Sequence, residues 1–354
     1  RDQRTLSLAQ FMEQRFANVI VNSAQNNPLQ PDVQFRGFVG SPLLGLPQGI
    51  AVYQDGVRIN EPFGDTVNWA LIPDNAIDRV YLVPGSNPIY GLNALGGALA
   101  IRTKTGATHP GTSVEAHAGS HGRTGIDLTT GGSVGEAVDY FVALSWLDED
   151  GWRDFSPTEA AQAHANVGWH AGDASVDVDL TFADTDLIGN GAAPTQLLDL
   201  DRAAIFTRPD RTENELLLTN LTAEYRFNDA LAITGTLYRR TSDIATYNGD
   251  DSDFEECEDT PGIICAEEDE DEEFARDASG NVIPASETLE GGTVNRSRTN
   301  QDTLGFVTEL TATTPGRTFT LGLALDESDI EFAASTELGS LDETRRAIPG
   351  GVFI

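Results

Sequence analysis

Lysine is nearly absent: Lys104 is the only one in 354 residues, and there is a single methionine. The other basic residues are arginines, and 22 Lys+Arg against 56 Asp+Glu give a formal charge of −34. Nucleic-acid binding rests on Lys and Arg neutralising phosphates, so this composition argues against it. Cysteine is equally scarce. Cys257 and Cys265 are the only two, which excludes a disulfide scaffold, and no C-x-x-C redox or zinc spacing occurs. Histidine does not appear before His109, so a Ser-His-Asp arrangement ahead of that point would need a distant base. No stretch approaches 18 consecutive apolar residues, so there is no transmembrane helix. That leaves a membrane β-barrel open, because its strands are short and only half apolar. The opening residues, RDQRTLSLAQ, lack the charged–apolar–cleavage order of a signal peptide. They read as the inside of a domain, and the chain as an internal piece of a longer protein.

What is present falls into two regions. Residues 1–106 read as a compact mixed α/β region. LSLAQFMEQRF has helical apolar spacing, and FRGF, IAVYQDGVRI, DRVYLV and ALAIRT read as short strands. Asp55-Gly56 suits a tight turn, since Gly tolerates positive φ. The glycine-rich stretch YGLNALGGALAIRTKTG (90–106) is no phosphate cradle. Gly91 and Gly96 have P-loop spacing, but Gly97-Ala98 follows where Lys-Ser/Thr is needed, and no G-x-G-x-x-G exists there. Gly91, Gly96 and Gly97 instead permit a tight approach before a closing strand.

From about Ser113 the pattern becomes strict alternation. Val176, Val178, Leu180 and Phe182 share one face of a strand, while Asp177, Asp179, Thr181 and Ala183 share the other. The same period runs through Tyr140–Trp146, Leu217–Phe227, Leu231–Leu237 and Phe319–Leu325. It yields about nine strands between 113 and 335. Short turns (135–137, 171–173, 228–230, 315–317) alternate with long polar links, roughly 148–163, 187–212 and 248–300. Tyr140, Trp169, Tyr225, Phe227 and Phe319 sit at strand ends beside the short turns, all on the apolar parity. Short turns at one end, long loops at the other and an aromatic girdle describe an up-and-down outer-membrane barrel. The alternative is a soluble β-sandwich, whose aromatics would gather mid-strand and whose loops would be short at both ends.

FRGF (35–38), YQDGVRINEP (53–62) and NAIDRVYLVPGSNPIYGLNALGGALAIRTK (75–104), followed by alternating strands, resemble the TonB-dependent outer-membrane receptors. The resemblance implies a globular plug (1–106, N-terminally truncated) followed by the N-terminal part of the β-barrel (107–354). The fold class is then a mixed α/β plug followed by an antiparallel up-and-down transmembrane β-barrel. That barrel is incomplete here, with about nine strands of an expected 22, which would take on the order of 550 residues. An open fragment leaves two edges unsatisfied and is not expected to insert or transport. By the same resemblance Arg36-Gly37, Asp55-Gly56, Asp78-Arg79-Val80, Tyr90-Gly91 and Gly96-Gly97 match the family's plug motifs, with Gly85 in the same block. Tyr81 and Pro84 depart from it, at positions where the family often has an acid and a basic residue. Arg36, Arg58, Arg79 and Arg102 are candidates for ionic contacts between plug and wall, or else solvated surface arginines. Thr103 to Gly111 is the crossing into the first barrel strand.

The resemblance also implies function: import of a scarce, bulky nutrient across the outer membrane, driven through TonB, without covalent chemistry or a cofactor. The partners are TonB, whose binding segment is absent from these residues, outer-membrane lipid and a small-molecule substrate. A ferric siderophore is the commonest default; cobalamin, other metal chelates and saccharides are alternatives, and a non-transporting barrel or soluble β-sandwich binding module is the rival reading. Segments 40–47, 61–69 and 86–90 are the candidate substrate-facing loops. Phe63, Trp69 and Tyr90 supply apolar contact there or pack the plug against the wall. Fourteen of the 24 residues from Asp250 to Glu273 are acidic. On the extracellular side Cys257 and Cys265 are expected to pair and pin this otherwise solvated loop. None of His109, His117, His121, His164 and His170 has metal-site spacing.

Overall fold

The computed structural model describes residues 7–23, 25–86, 90–252, 254–258, 260–268, 271–285 and 291–354. The N-terminal region opens with α1 (Leu8–Arg15), capped by Ser7, whose Oγ accepts from the Gln10 N–H. Leu8, Ala9 and Met12 form its buried face. A first antiparallel sheet joins β1 (Val19–Asn22), β2 (Asp32–Phe35) and β3 (Phe38–Gly40). FRGF is therefore not a strand. Arg36 (φ 55°) and Gly37 (φ 85°) form the turn between two strands, and paired positive φ values suit the twist of a two-residue hairpin. The second sheet has the order β5 (Val57–Arg58), β4 (Ile50–Gln54), β7 (Gly97–Thr103), β6 (Ile77–Pro84). Asp55-Gly56 turns β4 into β5, while β4 and β7 run parallel at the centre. Gly97 is required by close approach: a side chain there would strike the Val83 carbonyl on β6. Val52, Val57, Leu99 and Ile101 form the core with Trp69, Leu71 and Ile72.

Most of the remaining described residues form one antiparallel sheet of ten strands. In order these are β8 (Gly111–Ala118), β9 (Thr124–Val134), β10 (Val138–Glu149), β11 (Thr158–Ala171), β12 (Ala174–Ile188), β13 (Asp210–Asn228) and β14 (Leu231–Asp251). Then come β18 (Gly291–Thr314), β19 (Arg317–Leu341) and β20 (Ala347–Phe353), with β8 and β20 at the two edges. Nine of them occupy the span expected to hold about nine, and β20 lies beyond it. The strands reach further into the long links than alternation suggests. Ala160–Ala163, for instance, is β11 rather than loop, because weakly apolar residues there still pair in register with β10 and β12. The insertion after β14 carries β15 (Phe254–Glu256), β16 (Ile264–Glu268) and β17 (Asp271–Phe274); α2 (Thr195–Leu200) lies between β12 and β13.

Parity decides what each strand shows to either side. On β10, Phe141 is 1% exposed and faces inward, while Leu144 is 46% exposed and faces out. The register aligns the outward residues across strands: Leu221 lies opposite Leu237, Leu237 opposite Phe306, and Phe306 opposite Leu325. The result is a continuous apolar band, with Tyr140, Trp169, Tyr225, Phe227 and Phe319 exposed along its short-turn margin. The inward face is occupied. Ala183, Leu216, Leu218 and Tyr238 of the wall belong to the same buried cluster as Leu99, Ile101 and Trp69. The N-terminal region thus sits in the concavity of the curved sheet.

Candidate functional site

Among the described residues no constellation for covalent chemistry emerges, and the informative surface is the seam between the inner region and the wall. At its short-turn end, β7 leaves through residues 104–110. The Lys104 N–H donates to Ala76 O (2.8 Å), and Lys104 Nζ to Asn75 O (2.9 Å). Gly106 then meets the wall backbone. A methyl built there would overlap the carbonyls of Tyr140 and Gly132 and lie 2.5 Å from the Tyr140 nitrogen. The Ala107 N–H donates to Asp139 Oδ1 (3.1 Å), whose other oxygen is 3.1 Å from His170 Nε2. Asp55 secures the same exit from inside, accepting from both the N–H (3.0 Å) and the hydroxyl (2.8 Å) of Thr103. Burial raises the Asp55 pKa, and the Thr103 hydrogen bonds oppose that rise.

Higher up, Gln54 Nε2 donates to Thr181 Oγ1 on β12 (2.9 Å), and Asn27 Nδ2 to Thr158 Oγ1 on β11 (2.7 Å). The densest contact is ionic. Glu61 lies on the loop after β5, and Arg240 projects inward from β14. Arg240 Nη2 and Nη1 donate to the two carboxylate oxygens at 2.5 and 2.7 Å. Ser242 Oγ (3.0 Å) and Gln301 Nε2 (2.9 Å) from the wall, and Asn68 Nδ2 (2.9 Å) from the inner region, complete the shell. The side chains of Glu61 and Arg240 are 1% and 4% exposed. Burial raises the Glu61 pKa, but the Arg240 charge and these hydrogen bonds outweigh it and hold the carboxyl below its ordinary value.

This pair reverses the expected polarity. Arg58 bonds to Asp65 and Arg79 to Asp78, both inside the inner region, and Arg79 is 65% exposed. The Arg36 guanidinium lies over the Phe35 ring, and Arg102 is exposed. Arg36, Arg58 and Arg79 are thus not ties to the wall, and Arg102 acts on Asp179 of β12 through charge alone; the hydrogen-bonded ion pair across the seam is an acid on the inner region and an arginine on the sheet. Its one sequence signal was Arg240 on the inward parity of a strand whose neighbours in register, Leu218 and Thr303, carry no charge.

The candidate contact residues separate. Trp69 is 5% exposed and its Nε1 donates to Gly40 O; a side chain so buried has no face for a ligand. Phe63 stacks on Phe332 of β19, ring centres 4.7 Å apart. The Tyr90 ring tilts against Tyr53, whose hydroxyl donates to the Tyr90 carbonyl (2.6 Å). Gly85 and Gly91 have positive φ (87° and 64°). Of segment 86–90, residues 87–89 lie outside the described residues. Cys257 and Cys265 are disulfide-bonded. The acidic insertion is not merely solvated: Ile264, Ala275 and Ile283 pack on Leu338 of β19 beneath the small β15–β17 sheet.

Residues 1–98 match the model of the TonB-dependent Receptor Plug Domain. Nearly the whole chain superposes on ferric citrate transporter FecA, with TM-score 0.68 and 13% identity over 98% of this chain and 47% of that one. The chain carries the plug of the TonB-dependent receptors. Its inner region is the plug, its sheet is part of the barrel wall, and it is an outer-membrane protein. The ferric-catecholate import receptor Fiu from E. coli K12 is similar in fold (TM-score 0.65, 13% identity, 97% of this chain and 49% of that one). In sequence, the vitamin B12 transporter BtuB of Vibrio cholerae serotype O1 is 31% identical over 105 residues, 29% of this chain and 17% of that protein. BtuB of Photobacterium profundum is 32% identical over 136 residues, 35% and 22% of the two chains. The chain thus matches about a fifth of the curated relatives' length and under half of these two solved receptors.

Proposed function

We propose that this receptor imports a scarce, bulky nutrient across the outer membrane, using energy delivered by TonB, with residues 1–106 as plug and 107–354 as the first part of the barrel. The observation that carries the reading is the seated plug. It shares a buried core with the wall and is hydrogen-bonded to β10, β11, β12, β14 and β18. A barrel so filled passes nothing bulky until the plug rearranges, which separates it from a passive pore. A ferric siderophore is the first substrate class, supported by the iron-chelate receptors among its structural neighbours. Cobalamin is the second, supported by the B12 transporters among its sequence relatives. Loops 40–47 and 61–69 and the segment 86–90 are the proposed ligand-facing parts of the plug, with Phe63 and Tyr90 as contacts. The test is uptake of labelled ferric siderophores and of labelled cobalamin by cells with and without the complete receptor, each with and without a protonophore. Receptor-dependent, protonophore-sensitive uptake of a chelate supports the first class, and of cobalamin the second. Uptake that ignores the protonophore would refute energy-coupled import.

A further inference from the structure

We infer that Glu61, Arg240 and Gln301 form the latch that holds the plug closed, and that opening a path requires Glu61 and Arg240 to part. The inference rests on the transport reading and adds which residues position the plug. Glu61 receives five hydrogen bonds, four of them from the wall. Such a pair contributes little net stability while intact, because removing two charges from water costs about as much as their attraction returns. Separating it in place is different, because each charge is then buried without a partner. The latch therefore resists small displacements and gives way only when water reaches both groups. It is also incompletely satisfied: Arg240 Nε has no acceptor among the described residues, so the closed state is not overstabilised.

Gln301 couples the latch to the loop above it. Its Nε2 donates to Glu61, while its Oε1 accepts from the Phe63 N–H at 2.9 Å. One amide thus holds both the ion pair and the residue whose ring stacks on Phe332. A ligand that displaces Phe63 from Phe332 would turn this amide and remove a donor from Glu61. Phe63 is in this way a trigger and Glu61–Arg240 the element it weakens.

The test uses the complete receptor in planar bilayers, reading single-channel openings and the leak of a bulky hydrophilic antibiotic, with heat-modified electrophoretic migration as the check on barrel folding. Glu61→Gln leaves Arg240 charged and buried without its partner. The open fraction should rise by roughly two orders of magnitude. The double variant E61Q/R240Q removes both charges and should return most of the way to wild type, which a general loss of packing would not do. Gln301→Leu leaves both members of the pair in place and should raise leak less than E61Q. Wild-type leak in E61Q and Q301L, or additive leak in the double variant, would overturn the latch. Leak in E61Q reversed in the double variant, but with no energy-coupled uptake of any ligand by the wild-type receptor, would retain the latch and remove the transport reading.

Discussion

Gly106 offers the sharpest test of how the plug is moored. Its missing side chain faces the backbone of two adjacent wall strands at Gly132 and Tyr140. Backbone in a paired sheet cannot step aside, so alanine or valine there must lift residues 104–110 from the wall. Forced overpacking costs about 1–3 kcal/mol. Losing the Ala107–Asp139 hydrogen bond adds about 1.5–3 kcal/mol, the range for a carboxylate acceptor. The mooring should then open roughly 60- to 20,000-fold more often, at about 1.4 kcal/mol per tenfold. The sequence supplies its own assay, because Lys104, the chain's only lysine, stands two residues away and is half-buried. A lysine-specific protease should cleave Gly106→Val receptor after Lys104 at least tenfold faster than wild type, since cleavage tracks the open population. Gly322→Ala is the control, with only one atom near its added methyl, at 3.8 Å. Equal cleavage of Gly106→Val and wild type would mean that the contact does not hold the linker.

Acid should unseat the plug. A carboxyl held below its ordinary 4.5 contributes stability above that value and loses it as pH falls through the lower folded one. Plug release, followed by protease access, should therefore grow as pH falls below 4.5, and this pH dependence should be absent from E61Q, which lacks the titrating group. Trp69→Phe should destabilise the plug by about 1–3 kcal/mol in urea, through the unsatisfied Gly40 carbonyl, while leaving ligand affinity unchanged; a large loss of affinity would restore Trp69 as a ligand contact. Leu323→Arg, on the apolar band of β19, should cost about 2–4 kcal/mol in lipid refolding. A neutral result would place that face outside the bilayer. Cys265→Ser should cost the β15–β17 insertion about 2–3 kcal/mol and raise its proteolysis, with no change in barrel migration.

The wall was legible because period-two alternation is imposed by lipid on one side: Val176–Phe182 and Phe319–Leu325 announce themselves residue by residue. Its upper reaches were not, since beyond the apolar band both faces are polar and β11 begins in Thr158–Gln162 without alternation. In the plug, Asp55-Gly56 was readable as a turn, but Arg36-Gly37 was hidden because the flanking phenylalanines suggest a strand. The latch was least legible. Glu61 and Arg240 are 179 residues apart, and their pairing depends on how deeply the plug sits, which local pattern does not encode. The acidic insertion misled for a related reason. Its carboxylates dominate the composition, while the few residues that organise it, Ile264, Ala275 and Ile283, are scattered among them.

The height of the wall has its own consequence. On β19 the outward apolar series ends at Leu325, yet the strand continues to Leu341. With about 3.3 Å per residue and a tilt near 40°, that is roughly 40 Å of wall above the band. The plug reaches Phe332, and the β15–β17 insertion packs on Leu338 above it, so closure of the barrel would leave a partly roofed well roughly 20 Å deep. A molecule leaving its first contact on the plug remains inside that well, at an effective concentration on the order of tens of millimolar. Rebinding would then compete with escape, so scarcity in the medium need not mean scarcity at the plug.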